Sequence, residues 1–313
     1  MAKVLLLESL HPSARAALDG GAQVVALEQP DAPVDDAVLR EVEAIVTRGR
    51  GQVDAGLLAR CPALRVVTRA GVGLDNVDRA AAAARGVAVV HVPDALTETV
   101  SEHALALALA ARREVVSSAR AAREGRWEER DRFTGESLAG SRVTVVGLGA
   151  IGERTRALMV ALGAEVTAWN RSAREVDGFE PDLARALKGA EVVTLHVALD
   201  DGTRGLMDTD RLALLAPGAV VVNTARPGVV EAGAMLAALE AEHVAAYAVD
   251  GFHPEPPPAD DPLLRHPGVI VTPHVAALTG RTYAALCAAA VKGTLDVLDG
   301  RAPGGGARLA PRP

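Results

Sequence analysis

In Val143-Thr-Val-Val-Gly147-Leu-Gly149-Ala-Ile-Gly152, an apolar, β-branched run ends in a glycine-rich turn, and a helical pattern begins directly after it. Residues 142–146 have the composition of a buried strand, and residues 150–162 repeat apolar side chains at helical spacing. A G-x-G-x-x-G run is a weak signal by itself, but between a strand and a helix it is typical of a dinucleotide-binding βαβ unit. The alternative is a glycine-rich turn in an ordinary α/β protein.

Each residue of this turn has a separate predicted task. Gly147 would allow the tight turn, Gly149 would let the backbone approach a pyrophosphate, and Gly152 would let the helix pack closely on the strand. The helix would begin at Ala150 and Ile151, where the positive end of its dipole would face the phosphates. We therefore predict that these five residues bind the cofactor.

The residues after the second strand predict which dinucleotide is bound. The strand over residues 165–169 is followed by Asn170, Arg171 and Ser172. A carboxylate at this place would bind the ribose 2′-hydroxyl and repel a 2′-phosphate, whereas an arginine accommodates that phosphate. We therefore predict that NADP is accepted and weakly preferred over NAD. The alternative is a solvated Arg171 in a tolerant NAD site.

Composition narrows the class of protein. A chain of 313 residues with 49% hydrophobic content can form two domains, and an aromatic content of only 2% suits buried parallel strands of small aliphatic residues. The formal charge of −7 argues against nucleic-acid and anionic-membrane partners. The first apolar stretch is interrupted by Glu8, too early for a signal peptide, and no apolar run approaches the roughly 20 residues of a membrane span. Cys61 and Cys287 lack metal-ligand spacing, so we expect a reduced, cytoplasmic protein.

Short apolar strands alternate with amphipathic helices along the whole chain, which predicts βαβ units and parallel sheets. We predict a two-domain α/β fold in which a six-stranded, doubly wound sheet begins at the glycine-rich turn. One long helix over residues 98–119 would connect the domains, and a last helix over residues 278–298 would return to the first domain. The predicted strands cover residues 4–7, 44–47, 65–68, 88–90, 143–146, 165–169, 192–196, 220–223, 245–249 and 269–271.

Three side chains that follow later strands predict the chemistry. Arg226, Glu255 and His274 each come after a different strand of the second sheet, and parallel strands end at the same edge. His274 would exchange a proton with the substrate oxygen, and Glu255 would orient His274 and favour its protonated form. Arg226 would bind the substrate carboxylate or carbonyl. These roles fit the interconversion of a 2-hydroxy acid and a 2-keto acid.

The other histidines are not assigned to catalysis, and no metal site is predicted. Taken singly, each of the three side chains could be a surface charge or a helix cap, and only the set favours a site. His196 ends a sheet strand and is predicted to border the cofactor, whereas His91 and His103 are assigned to packing or solvent. No spacing of histidine, cysteine or carboxylate residues suggests a metal site.

The chain resembles the D-isomer-specific 2-hydroxyacid dehydrogenase family over nearly its whole length. Residues 69–78, the segment around Trp127 and residues 133–140, and the Arg226, Glu255 and His274 motifs carry the resemblance. It implies a Rossmann cofactor domain over residues 97–277, inserted into a flavodoxin-like substrate domain of residues 1–96 and 278–313. It also implies a homodimer. The further site residues that it implies are Gly71, Val72 and Gly73 for the substrate carboxylate, and Thr203, Thr224, Ala225 and Asp250 for the cofactor.

The resemblance also suggests the reaction. It implies NAD(P)H-dependent reduction of a small 2-keto acid, such as glyoxylate or hydroxypyruvate, to the D-2-hydroxy acid. Arg48 and Arg69 align with arginines that serve the substrate phosphate in phosphoglycerate dehydrogenases, so 3-phosphoglycerate oxidation is the alternative. The chain ends without the regulatory domain of many of those enzymes, and we expect no feedback control by serine. Because the family includes dinucleotide-responsive corepressors, a cofactor-sensing binding protein is the alternative of another class. Pro227 replaces the usual glycine after the arginine and stiffens that loop.

Overall fold

The protein is described from a computed structural model, which covers residues 1–311; the last two residues of the predicted substrate domain lie outside this description. It divides into two compact units, one formed by Met1–Leu96 with the segment that begins at Leu278, and the other by Thr97–Ala277. The strands are β1 (Lys3–Leu6), β2 (Gln23–Ala26), β3 (Val42–Thr47), β4 (Val66–Arg69), β5 (Ala88–His91), β6 (Arg142–Val146), β7 (Glu165–Trp169), β8 (Val192–Leu195), β9 (Ala219–Asn223), β10 (Val244–Asp250), β11 (Val269–Thr272) and β12 (Arg308–Leu309).

The helices alternate with these strands, as the sequence pattern predicts. None of the helices within residues 1–311 combines the length and the apolarity that crossing a bilayer requires. Short 3-10 helices cover Trp127–Arg132 and Pro227–Val229. The α-helices are α1 (Pro12–Gly21), α2 (Asp36–Leu39), α3 (Ala55–Arg60), α4 (Arg79–Ala84), α5 (Thr97–Arg112), α6 (Val115–Arg123), α7 (Ala150–Ala161), α8 (Leu183–Leu187), α9 (Thr209–Ala213), α10 (Ala232–Glu240), α11 (Pro262–Arg265) and α12 (Gly280–Leu298).

The first unit has the flavodoxin-like strand order. Its sheet runs β12-β5-β4-β3-β1-β2, and all pairs are parallel except the antiparallel pair of β12 with β5. Leaving β12 aside, this is the order 2-1-3-4-5 of flavodoxin-like folds. The last long helix, α12, packs on β3, β4 and β5 of this sheet. The predicted flavodoxin-like fold of this unit is confirmed.

The second unit has a parallel, doubly wound sheet in the order β11-β10-β9-β8-β6-β7. Beyond β7, Phe179 makes a single parallel bridge with Ala168, so a third strand is reduced to one residue. If this bridge is counted as a strand, the strand order is that of the Rossmann fold. The order in which strands are added to the sheet reverses between β6 and β8, although the strands stay parallel. Ligands of such sheets bind at this switch point, beyond the carboxyl ends of the strands.

The second sheet is buried on both faces. All five residues of β9 are buried. On one face, alanine and leucine residues of α5, such as Ala104 and Leu107, pack with Val143 and Val222. On the other face, α9 and α10 cover a cluster that includes Met235. This two-sided cover explains why the strands read as nearly continuous aliphatic runs.

Two element predictions were wrong or incomplete. The single helix over residues 98–119 is two helices, α5 and α6, because the backbone at Glu114 adopts a left-handed conformation with φ of 51°. The carbonyl of Arg112 accepts the N–H of Glu136 at 2.8 Å instead of continuing a helix. Strands β2 and β12 were missed, since one is a half-exposed edge of four residues and the other is only two residues long.

Candidate active site

The three glycines of the turn between β6 and α7 meet three different surroundings. Gly147 has φ of 100°, and a Cβ there would lie 2.8 Å from the carbonyl carbon of His196. A Cβ on Gly152 would lie 1.8 Å from the carbonyl oxygen of Gly147, so only glycine lets α7 approach β6 this closely. A Cβ on Gly149 would meet no atom within 4 Å. The open space at Gly149 borders the first N–H groups of α7, at Ala150 and Ile151, and fits a pyrophosphate.

At the end of β7, Asn170 and Arg171 have different partners. The side-chain oxygen of Asn170 accepts the N–H of Leu148 at 3.0 Å, and its amide donates to the carbonyl of Ser172 at 2.9 Å. Asn170 therefore braces the glycine-rich turn. The guanidinium of Arg171 donates two hydrogen bonds to the carboxylate of Asp200, at 2.8 and 3.0 Å. The sequence did not predict this ion pair.

The residues after β8 form a compact turn. Burial lowers the pKa of His196 to about 3, so its imidazole is neutral, and its Nε2 lies 2.8 Å from the hydroxyl oxygen of Thr194. Thr203 is buried, and its hydroxyl donates to the carbonyl of Ala198 at 2.6 Å. Its oxygen also accepts the N–H of Asp200 at 2.8 Å. The hydroxyl of Thr203 thus shapes the turn that carries Asp200.

The loop after β9 carries Thr224, Ala225 and Arg226. The buried side chain of Asn223 holds it, accepting the N–H of Ala225 at 3.0 Å and donating to the carbonyl of Arg226 at 2.9 Å. The hydroxyl oxygen of Thr224 is buried and has no hydrogen-bond partner among the described residues. A buried hydroxyl without a partner is costly, and a bound ligand with a polar group would satisfy it.

His274 and Glu255, which follow β11 and β10, are in contact. The Nδ1 of His274 lies 3.2 Å from Oε1 and 3.4 Å from Oε2 of Glu255. This hydrogen bond is the main cause that holds the pKa of Glu255 below its usual value, against partial burial, and the charge of Arg226 adds to the effect. The second unit therefore brings His274 and Glu255 into contact, with Arg226 near enough for its charge to act on the carboxylate.

The carboxylate of Asp250 anchors the loop that carries His274. It is buried and accepts the N–H groups of Val275 at 2.8 Å and of Ala276 at 2.9 Å, and the hydroxyl of Thr272 at 2.6 Å. His274 itself has φ of 56°, a conformation that costs a non-glycine residue about 1 kcal/mol or more. The family resemblance implies that Asp250 lines the cofactor, and in the structure its oxygens also hold this strained loop. An aspartate at the last position of a buried strand could have indicated such an anchor.

In the first unit, Glu8 organises the loop after β3. Its buried carboxylate accepts the hydroxyl of Thr47 at 3.0 Å and the N–H groups of Arg48, Gly49 and Arg50. Burial raises the pKa of Glu8, but these donors outweigh burial and leave the pKa lowered. Sequence reasoning missed this role, although an acid that interrupts an apolar strand pattern was a signal for it.

The two arginines predicted for a substrate phosphate lie at the ends of neighbouring strands of the first unit, Arg48 directly after β3 and Arg69 as the last residue of β4. The guanidinium of Arg48 lies 4.7 Å from the ring centre of Tyr283, a residue that the sequence did not single out. Arg69 is buried, and a Cβ on Gly71 would lie 1.4 Å from its Nη1. A Cβ on Gly49 would lie 3.4 Å from its Nη2. Arg69 therefore packs between the loop after β3 and the loop that contains Gly71, Val72 and Gly73.

No three histidine, cysteine or carboxylate side chains within residues 1–311 are grouped so that they could hold a metal ion. The second unit instead provides three features that could accept a ligand. These are the open space at Gly149, the unpartnered Thr224 hydroxyl and the hydrogen-bonded pair of Glu255 and His274. These residues fit a nicotinamide dinucleotide and a small polar substrate.

Comparisons with known proteins point to one family. A family model described as D-isomer specific 2-hydroxyacid dehydrogenase, NAD binding domain, matches residues 105–276. Over 285 residues the chain is 40% identical to D-3-phosphoglycerate dehydrogenase of Mycobacterium tuberculosis, an alignment that covers 88% of this chain and 53% of the relative. The chain thus spans about half the length of that relative. Over 275 residues it is 32% identical to glyoxylate reductase of Aeropyrum pernix, covering 84% of this chain and 82% of the relative.

A solved structure is also similar over nearly the whole chain. It is the NADPH-dependent glyoxylate/hydroxypyruvate reductase of Sinorhizobium meliloti in complex with NADP and malonate. The TM-score is 0.87 and the sequence identity is 30%, with 95% of this chain and 93% of that chain covered.

Proposed function

This chain belongs to the D-isomer specific 2-hydroxyacid dehydrogenase family, and we propose that it interconverts a small 2-keto acid and the D-2-hydroxy acid with a nicotinamide dinucleotide. The observation that carries the proposal is the contact of His274 with Glu255 in the same unit as the glycine-rich turn. An imidazole paired with a carboxylate can hold and deliver one proton near neutral pH. Reduction of a ketone needs that proton together with a hydride.

The proposed roles follow from which atoms are engaged. Glu255 holds the Nδ1 side of His274, which leaves Nε2 to donate a proton to the ketone oxygen in reduction and to accept it back in oxidation. Arg226 binds the substrate carboxylate with its planar fork. When bound, the nicotinamide supplies or accepts the hydride. Pro227 forms the first residue of a 3-10 helix after Arg226, where its fixed φ is compatible with the observed turn.

For the cofactor we propose NADP, weakly preferred over NAD. The support is that Asn170, Arg171 and Ser172 carry no negative charge, and that the Sinorhizobium meliloti relative is NADPH-dependent. The ion pair of Arg171 with Asp200 works against this preference without removing the guanidinium from the site.

For the substrate we propose glyoxylate or hydroxypyruvate, by similarity to the two reductases. The second candidate is 3-phosphoglycerate. It is supported by Arg69 beside the predicted substrate loop, by Arg48 in the loop after β3, and by the Mycobacterium tuberculosis relative. Residues 1–96 with 278–313 would form the substrate domain, and residues 97–277 would form the cofactor domain. The free, buried cysteines Cys61 and Cys287 support a reducing, cytoplasmic setting.

The test is the initial rate of NADPH and NADH oxidation with glyoxylate, hydroxypyruvate and 3-phosphohydroxypyruvate under matched conditions. We expect turnover with at least one of the unphosphorylated acids and a faster rate with NADPH. His274→Ala should lower that rate about 10²- to 10⁴-fold, while nucleotide binding persists. The control is His266→Ala, a half-buried histidine before the same strand, β11. Faster turnover of the phosphorylated acid would favour 3-phosphoglycerate as the substrate. Nucleotide binding without any turnover would contradict the proposal that the protein is an enzyme.

A further inference from the structure

Asp200 pairs with the guanidinium of Arg171, the group that would bind a 2′-phosphate at the end of β7. The Nη1 of Arg171 donates to Oδ2 of Asp200 at 3.0 Å, and the Nη2 donates to Oδ1 at 2.8 Å. A carboxylate and a phosphate each present a pair of oxygens that matches this planar fork. A phosphate that binds the same edge must displace Asp200, and one that binds elsewhere on the fork lies beside its negative charge.

The carboxylate is also held by its own turn. The N–H of Gly202 donates to Oδ1 of Asp200 at 2.9 Å, and the N–H of Asp200 donates to the buried hydroxyl oxygen of Thr203 at 2.8 Å. Gly202 lets the guanidinium come close, since a Cβ there would lie 3.2 Å from Nη2 of Arg171. The loop after β8 therefore holds the carboxylate of Asp200 beside Arg171.

We propose that Asp200 is a specificity-determining residue whose carboxylate competes with the 2′-phosphate of NADP for Arg171 and so weakens NADP binding selectively. The inference rests on the proposed nucleotide site, but it does not depend on the substrate or the reaction. The side chains of Arg171 and Asp200 are 59% and 46% exposed, and ion pairs this exposed are weak. A phosphate can therefore displace the carboxylate, and Asp200 narrows the preference for NADP without abolishing NADP binding.

Asp200→Asn isolates the charge. Asparagine removes the negative charge but keeps a side-chain oxygen that can accept the N–H of Gly202. We expect the dissociation constant of NADPH to fall about three- to tenfold, because an exposed competitor and its repulsion of the phosphate are both modest effects. The dissociation constant of NADH should stay within about twofold, since it has no phosphate to compete.

The experiment is an equilibrium titration of the full chain with NADPH and with NADH, followed by nucleotide fluorescence. It compares the unmodified protein with Asp200→Asn, Arg171→Ala and the double variant. The matched control is Asp201→Asn, which removes the same charge from the adjacent, exposed residue. In the Arg171→Ala background, the effect of Asp200→Asn on NADPH should largely disappear, because the contested group is gone.

Selective tightening of NADPH by Asp200→Asn, lost in the double variant, supports the inference. An unchanged NADPH constant, equal tightening of both nucleotides, or the same tightening by Asp201→Asn overturns it. If the unmodified chain binds neither nucleotide, the proposed function itself fails. If it binds both and Asp200→Asn leaves their ratio unchanged, only the role of Asp200 is refuted.

Discussion

Glu255 and His274 lie 19 residues apart in the chain, and their contact has a consequence for pH dependence. The hydrogen bond from His274 is the main cause of the lowered pKa of Glu255. The carboxylate therefore stays ionised at lower pH than an ordinary glutamate. Its stabilising contribution is complete above the unfolded pKa of about 4.3 and is lost as the pH falls through the lowered, folded pKa.

We predict that Glu255→Gln slows keto acid reduction. Glu255 contacts Nδ1 of His274, and the glutamine lacks the negative charge that holds this ring in place for proton transfer. The kcat for hydroxypyruvate reduction should fall about ten- to hundredfold. The difference should shrink as the pH falls through the lowered pKa of Glu255, where the carboxylate of the unmodified protein becomes neutral as well. The measurement is kcat against pH for both proteins, with Glu240→Gln on the exposed face of α10 as the control. Superimposable profiles for the Glu255 variant and the unmodified protein would refute the assigned role.

Among the structural elements, the junction of β6 with α7 requires glycine for two different reasons. The glycine pattern of the sequence does not distinguish them. At Gly152 the demand is packing, since the neighbouring carbonyl oxygen leaves no room for a side chain. At Gly149 it is open space, which no protein atom within 4 Å of a Cβ position fills.

We therefore predict opposite outcomes for two alanine variants of this junction. Gly152→Ala should lower the free energy of unfolding by about 2 kcal/mol or more, because helix and strand must move apart. Gly149→Ala should keep its stability within about 0.5 kcal/mol and weaken NADH and NADPH about equally, because the Cβ enters the pyrophosphate space. Urea denaturation and nucleotide titration of both variants check this. Unimpaired nucleotide binding by a folded Gly149→Ala protein would contradict the assignment of this space to the pyrophosphate.

Element predictions succeeded where burial imposes a local pattern. Strands β6, β8 and β9 are aliphatic because helices cover both faces of the sheet, so their residues identify them without further information. The break after α5 was not predictable in the same way. It depends on the carbonyl oxygen of Arg112 accepting a hydrogen bond from the N–H of Glu136, a partner distant in sequence.

At the scale of the whole molecule, one apolar surface lacks cover within the described residues. Val115 and Val116 of α6 are 51% and 49% exposed, and Trp127 in the adjacent 3-10 helix is 72% exposed. Large exposed aromatic and aliphatic side chains are typical of protein interfaces. We propose that this surface forms the homodimer that the family resemblance implies.

Replacing two of these side chains should convert the dimer into a monomer. Val116→Glu combined with Trp127→Glu places charges in the proposed contact, and we expect the dimer dissociation constant to rise at least about 100-fold. Light scattering coupled to size exclusion measures the mass directly. Leu162→Glu, at an exposed apolar residue after α7, is the control and should leave the mass unchanged. A monomeric unmodified chain, or a double variant that stays dimeric, would contradict the proposed surface.

The class of fold, the dinucleotide turn and the side chains at the strand ends were predictable from the sequence, because periodicity and glycine spacing are local properties of the chain. The hydrogen-bond partners of those side chains depend on the three-dimensional arrangement of the strands. Arg171 meets Asp200, which lies 29 residues further on, and Glu8 holds a loop that begins 40 residues later. These partners are set by the strand order of each sheet: β1 and β3 are neighbours, whereas β7 and β8 lie on either side of β6. A linear pattern does not contain that information.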